Sequence, residues 1–174
     1  MKPVLNRIDP FGLATVYYWG YHDNQNIGHV AMDLDDGTHI SWWPVNGDAS
    51  YDGSPGFPMP SLPRDSGSEG RPPDASVYVD GLDEAAIKKW WEDFKRTHSK
   101  WNFWTQNCST TIAQALDVGG GRKNESDLPM DFPHPAVWAP YDVWDYANAI
   151  NHSHDPQYTR PWNLPTPTRL PGWN

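Results

Sequence analysis

Apolar and polar positions repeat with different periods along the chain, and each change of period marks a new element. From Ala14 to Trp19 the run Ala-Thr-Val-Tyr-Tyr-Trp is branched and aromatic, the composition of a strand. Gly28-His29-Val30-Ala31-Met32-Asp33-Leu34 alternates with period two, and Asp35-Asp36-Gly37 follows as a tight-turn signal. Thr38 to Trp43 then reads as the returning strand of a hairpin. Val77-Tyr78-Val79 offers one more short strand. From Asp83 the period becomes helical. Ile87, Trp90, Trp91 and Phe94 share one face, with Asp83 placed to cap the helix and Glu84 in its first turn. A second helix is expected from near Cys108, with Ile112, Ala115 and Leu116 inward and Gly119-Gly120-Gly121 ending it. A third should begin at Pro140, which suits a first helical position, and bury Val143, Tyr146, Ala147 and Ile150.

Between these elements lie stretches without period. Residues 44–75 carry seven of the eighteen prolines, separated by Gly, Ser and Asp, and read as one long structureless loop. A connection of that length in a compact domain is a functional flap, a disordered insert or a surface loop without a role. Residues 1–13 read as an extended lead-in and 153–174 as a Pro-rich tail, strap-like or frayed.

Composition narrows the class. A chain of 174 residues suits a single domain with one core, and eleven Trp supply large rings to fill it. The net charge of −9, with thirteen scattered Lys and Arg, argues against nucleic-acid binding, which needs clustered cations. No apolar run approaches the roughly 20 residues of a membrane span, and the opening MKPVLNRIDPFGLA lacks the apolar region of a signal peptide. The single cysteine excludes an internal disulfide.

That cysteine is also the first candidate for chemistry. Cys108 stands where the polar stretch Trp104-Thr105-Gln106-Asn107 gives way to a helix. Unpaired amides and the helix dipole stabilise a thiolate there and make it a nucleophile near neutrality. An isolated cysteine is otherwise commonly a small buried hydrophobe. His29 opens a strand at the hairpin rim, where its imidazole can reach a helix N-terminus. A Cys–His pair is the minimum set for covalent acyl transfer, although six other histidines compete with it. His152 and His154 could chelate a metal, but no carboxylate or cysteine spacing completes such a site, so no metal and no cofactor are expected.

The segment GHVAMDLDDGTHISWWP, followed far downstream by NCSTTIAQAL, resembles the circularly permuted branch of the NlpC/P60 papain-like superfamily. The resemblance covers roughly residues 14–150. It implies an α+β, permuted papain-like fold, with a small antiparallel sheet packed on the helix bearing the nucleophilic cysteine. It also implies Cys108 as nucleophile and His29 as general base. Such relatives carry a third polar residue on the strand after the histidine, to orient the imidazole. Counting through the hairpin places it at Ser41, with His39 on the same strand face as the competing choice. Gln106 and the Cys108 backbone amide are candidate oxyanion donors.

Asp9-Pro10-Phe11-Gly12-Leu13 resembles the Asp-Pro-x-Gly-Leu motif that closes the shared core of Rhs proteins. The resemblance implies a polymorphic toxin released after Leu13. Residues 1–13 would then be a remnant of the core junction, 14–152 the toxin domain and 153–174 its tail. The expected function is an interbacterial toxin acting as a cysteine peptidase or related amide hydrolase in the target cell. Peptidoglycan amidase and lipid acyl hydrolase are the alternatives on the same fold; a toxin acting by binding and a metal-dependent nuclease are those of another class. Export by a specialised secretion system without a signal peptide, and action in the target cytoplasm or periplasm, go with that expectation. So do three partners: a protein substrate, the Rhs core shell before release, and a cognate immunity protein. The Trp-rich segments at 42–43 and 101–104 are candidate anchors for the immunity protein.

Overall fold

The structure is a computed structural model that describes residues 12–22, 27–47, 53–121 and 137–152. Asp9 to Phe11 of the junction motif, the histidine at 154 and the tail from 153 lie outside the described residues. Among the described residues the architecture is α+β, built on two small antiparallel sheets. The first holds β1 (Gly12–Trp19), β2 (His29–Asp33), β3 (His39–Ile40) and β6 (Ala75–Leu82), in the order β3-β2-β1-β6. The second holds β4 (Trp42–Pro44), β5 (Ser54–Pro58) and β7 (Lys100–Trp101), in the order β4-β5-β7. Among the described residues four α-helices complete the fold: α1 (Leu62–Glu69), α2 (Glu84–Thr97), α3 (Cys108–Val118) and α4 (Pro140–His152).

The three helices expected from the helical period are present. In α2, Asp83 caps the end by accepting from the Ala86 amide at 2.9 Å, while Ile87, Trp91 and Phe94 are buried and Trp90 packs against the core. Ile112, Ala115 and Leu116 of α3 and Val143, Tyr146, Ala147 and Ile150 of α4 are buried as their spacing requires. α4 lies against β6 and β1, α3 against β2, and α2 against α3, so one apolar core is enclosed between the first sheet and the helices.

The hairpin forms with His39 opposite Asp33 and Ile40 opposite Met32. The returning strand breaks at Ser41, however, so that residues 39–40 stay in the first sheet and 42–44 join the second. Gly56 makes the second sheet possible. A Cβ there would stand 2.4 Å from the Trp42 ring and 2.9 Å from the Trp101 amide.

The 44–75 stretch is not one structureless loop. It carries β5 and α1, and α1 packs against β2. Pro63 sits in the first turn of α1, where its missing N–H costs nothing, and Gly70 ends the helix in the left-handed region at φ 71. Trp42 and Trp101 are likewise core rather than surface, at 1% and 3% exposure, so they cannot anchor an inhibitor. Burial against Trp91 and Phe94 accounts for Trp42.

Candidate active site

Three elements converge on one buried cluster. Gly28 takes φ 88, a conformation that L side chains rarely adopt, and a Cβ there would stand 2.6 Å from the Trp19 carbonyl oxygen. That turn delivers His29 to the start of β2. Its imidazole is buried, tilted against the indoles of Trp19 and Trp43 with ring centres 5.4 and 4.4 Å away. Cys108 is the first residue of α3. Before it, the Asn107 side chain accepts from the Thr110 amide at 2.7 Å and donates to the carbonyls of Phe103 and Trp138. The cap satisfies one free amide of the first turn and ties the helix start to its neighbours.

The thiol and the imidazole are near enough for each to shift the ionisation of the other, and the sulfur stands 3.8 Å from Ser109 Oγ. His29 Nε2 lies 3.0 Å from Ser41 Oγ and 3.5 Å from Asp65 Oδ1. Ser41 Oγ in turn donates to Asp65 Oδ1 at 2.9 Å. With its proton given to the carboxylate, the serine oxygen accepts from the Nε2–H, which leaves Nδ1 to exchange a proton with Cys108.

Asp65 is the residue that sequence reasoning missed. It sits in the first turn of α1, fully buried, and its carboxylate accepts from Ser41, from the Trp43 indole at 2.6 Å and from His39 Nε2 at 2.7 Å. The available signal was a cap pattern: Ser61 ahead of Pro63, with Gly70 closing the segment. A charge buried this deeply is tolerated because both oxygens have hydrogen-bond donors and a histidine stands on either side.

The charges are coupled. Burial opposes ionisation of Asp65, but hydrogen bonds and attraction from His29 and His39 hold its carboxyl well below the usual carboxylate range. Burial likewise opposes the imidazolium of His29; the negative Cys108 and Asp65 outweigh it and raise the group to about 10. For Cys108, burial pushes the thiol up while His29, the Ser109 hydroxyl and the Val30 amide bring it below its ordinary value. The direction of all three shifts favours a thiolate–imidazolium pair.

Cys108, His29 and Ser41 are thus brought together, and Asp65 joins them. His39 stands behind Asp65 rather than beside His29. The Gln106 side-chain amide donates to Thr111 Oγ1 at 3.1 Å. Among the described residues no group of three or more His, Cys, Asp or Glu is arranged to hold a metal, and no helix is long and apolar enough to cross a membrane.

No solved structure matches the chain. The Multifunctional-autoprocessing repeats-in-toxin of Vibrio cholerae serotype O1 (strain ATCC 39315 / El Tor Inaba N16961) is 27% identical over 78 residues, 44% of this chain. The matched region spans 2% of that relative's length. Residues 57–160, more than half of the chain, match the model of a family described as the IcsB middle domain. That stretch begins after His29 and contains both the buried carboxylate of Asp65 and the helix that opens on Cys108, and on its extent the chain belongs to the IcsB middle domain family.

Proposed function

We propose that the chain is a bacterial toxin acting as a papain-like cysteine hydrolase, with Cys108 as nucleophile, His29 as general base and Asp65, through Ser41, as the group that orients and charges His29. The observation that carries this reading is the thiol–imidazole–carboxylate line assembled from α3, β2 and α1. The order of the parts, histidine hairpin before cysteine helix, is that of the permuted papain-like enzymes. The likeness to a repeats-in-toxin protein supports the toxin role, and the Asp9-to-Leu13 motif supports Rhs-type delivery.

The chemistry follows from the geometry. The Cys108 thiolate attacks an acyl carbon and the carbonyl electrons move onto oxygen. As the tetrahedral intermediate collapses, the His29 imidazolium gives its Nδ1 proton to the departing group, leaving a thioester on Cys108. Water then loses a proton to His29 and attacks the thioester, which releases the acid and returns the thiolate. Asp65 keeps the imidazole in one tautomer and stabilises its cation in both halves. A protein of the target cell is the favoured substrate, and the producer carries an immunity protein against it.

The test compares the wild-type chain with Cys108→Ala expressed in a susceptible bacterium, with growth and new protein N-termini as readouts. Growth arrest with new termini, both absent in the variant, is expected. Arrest without new termini would move the reaction to peptidoglycan or lipid. A variant that stays folded and fully toxic would overturn cysteine catalysis.

A further inference from the structure

His39 has no part in the steps above, yet it is as deliberately placed as the residues that do. It is buried on β3, with Nδ1 at 2.5 Å from Asp33 Oδ1 and Nε2 at 2.7 Å from Asp65 Oδ2. An ionised carboxylate only accepts, so a ring held between two of them must carry a proton on both nitrogens. The neighbouring groups leave little freedom for another arrangement. Asp33 comes from β2 and lies near Tyr17 of β1, whose hydroxyl is pushed up to about 12 by burial and by that carboxylate. Asp65 comes from α1, and its other oxygen takes Ser41 and Trp43. His29 lies beyond it.

We propose that His39 is a positioning residue of the active site, an imidazolium that clamps the Asp65 carboxylate toward Ser41 and His29 and offsets its negative charge. The proposal rests on the cysteine-enzyme reading. Without the clamp, Asp65 has one oxygen unpartnered and its full charge acts on the reacting pair. An uncompensated negative charge raises the proton affinity of thiol and imidazole alike. His39 therefore lets the site keep a carboxylate behind His29 and still form the thiolate at low pH. Burial alone would lower the basicity of His39; its bonds to Asp33 and Asp65 instead raise it to about 8, in line with a cation at neutrality.

Two measurements on the full chain test this. In the wild type, ring-nitrogen NMR should show His39 protonated on both nitrogens at pH 6.5; a ring carrying one proton there overturns the proposal. The second measurement is the rate of Cys108 alkylation by iodoacetamide against pH, in wild type, His39→Gln and Asp33→Asn, with folding checked by circular dichroism. His39→Gln keeps a hydrogen-bonding side chain but removes the charge. Its alkylation limb should move to higher pH, slowing the reaction at pH 6 on the order of tenfold. Asp33→Asn weakens the hold on the His39 proton and should move the limb the same way by less. A role in folding alone would change stability and leave the limb where it was, and an unshifted limb in folded His39→Gln sinks the inference. The outcomes are separable. If the wild-type thiol reacts no faster than in the unfolded chain, the cysteine-enzyme reading itself fails; if it reacts fast and the limb is unshifted, only the role of His39 fails.

Discussion

At the scale of single residues, the distance between His29 Nε2 and its two partners sets a ranking. Ser41 is the closer at 3.0 Å and Asp65 stands at 3.5 Å, yet only Asp65 is charged. Asp65→Asn should lower turnover about 10²-fold or more, the scale of a triad member, since it removes the stabilisation of the imidazolium. Ser41→Ala should cost roughly tenfold, because the carboxylate can still reach the imidazole once the hydroxyl is gone. Steady-state rates of the two folded variants, once a substrate is in hand, check the order. A larger loss in Ser41→Ala would make the serine the true third member. The serine is legible from its place in the hairpin. Asp65 is not, because one aspartate in a stretch of Pro, Gly and Ser carries no periodic signal, and the helix that holds it has no apolar face.

At the scale of elements, α2, α3 and α4 follow from local patterning and caps, which depend on residues three or four apart. The second sheet follows from none of this. Its strands are two to five residues long and its register rests on one steric fact, the absence of a side chain at Gly56 beneath the Trp42 indole. Gly56→Ala should therefore destabilise the protein by about 2 kcal/mol or more, since neither the ring nor the Trp101 backbone can give way cheaply. Urea denaturation gives the value, and a loss under about 0.5 kcal/mol would mean that Trp42 repacks freely. Because β4 carries Trp43, which donates to Asp65, the same variant should also slow Cys108 alkylation.

At the scale of the whole molecule, the buried charges make stability depend on pH from both sides. The Asp65 carboxyl is held below its ordinary value, so its contribution is complete above about pH 4 and is lost as pH falls further. His39 and His29 are raised, to about 8 and about 10, from an ordinary 6.5. Their contributions are complete below about 6.5 and are lost as pH rises through those higher values. The lowered Cys108 thiol contributes with the opposite sign as pH rises toward its ordinary value, so the test uses Cys108→Ser, whose urea midpoint should be highest between about pH 4 and 6.5 and fall on either side. A midpoint of that variant that holds or rises from pH 6.5 to 9 would show that His39 is not a cation in the folded state. Sequence by itself determined α2, α3 and α4, the hairpin and the two candidate residues for chemistry, Cys108 and His29, because each is announced by near neighbours along the chain. Only the tertiary structure decided how the rest is used. It parted the returning strand at Ser41, turned a Pro-rich stretch into the helix that carries Asp65, and made that carboxylate affordable in the interior. The physical reason is that a buried charge is stable only where several donors from distant segments meet it, and such a meeting leaves no local trace in the order of residues.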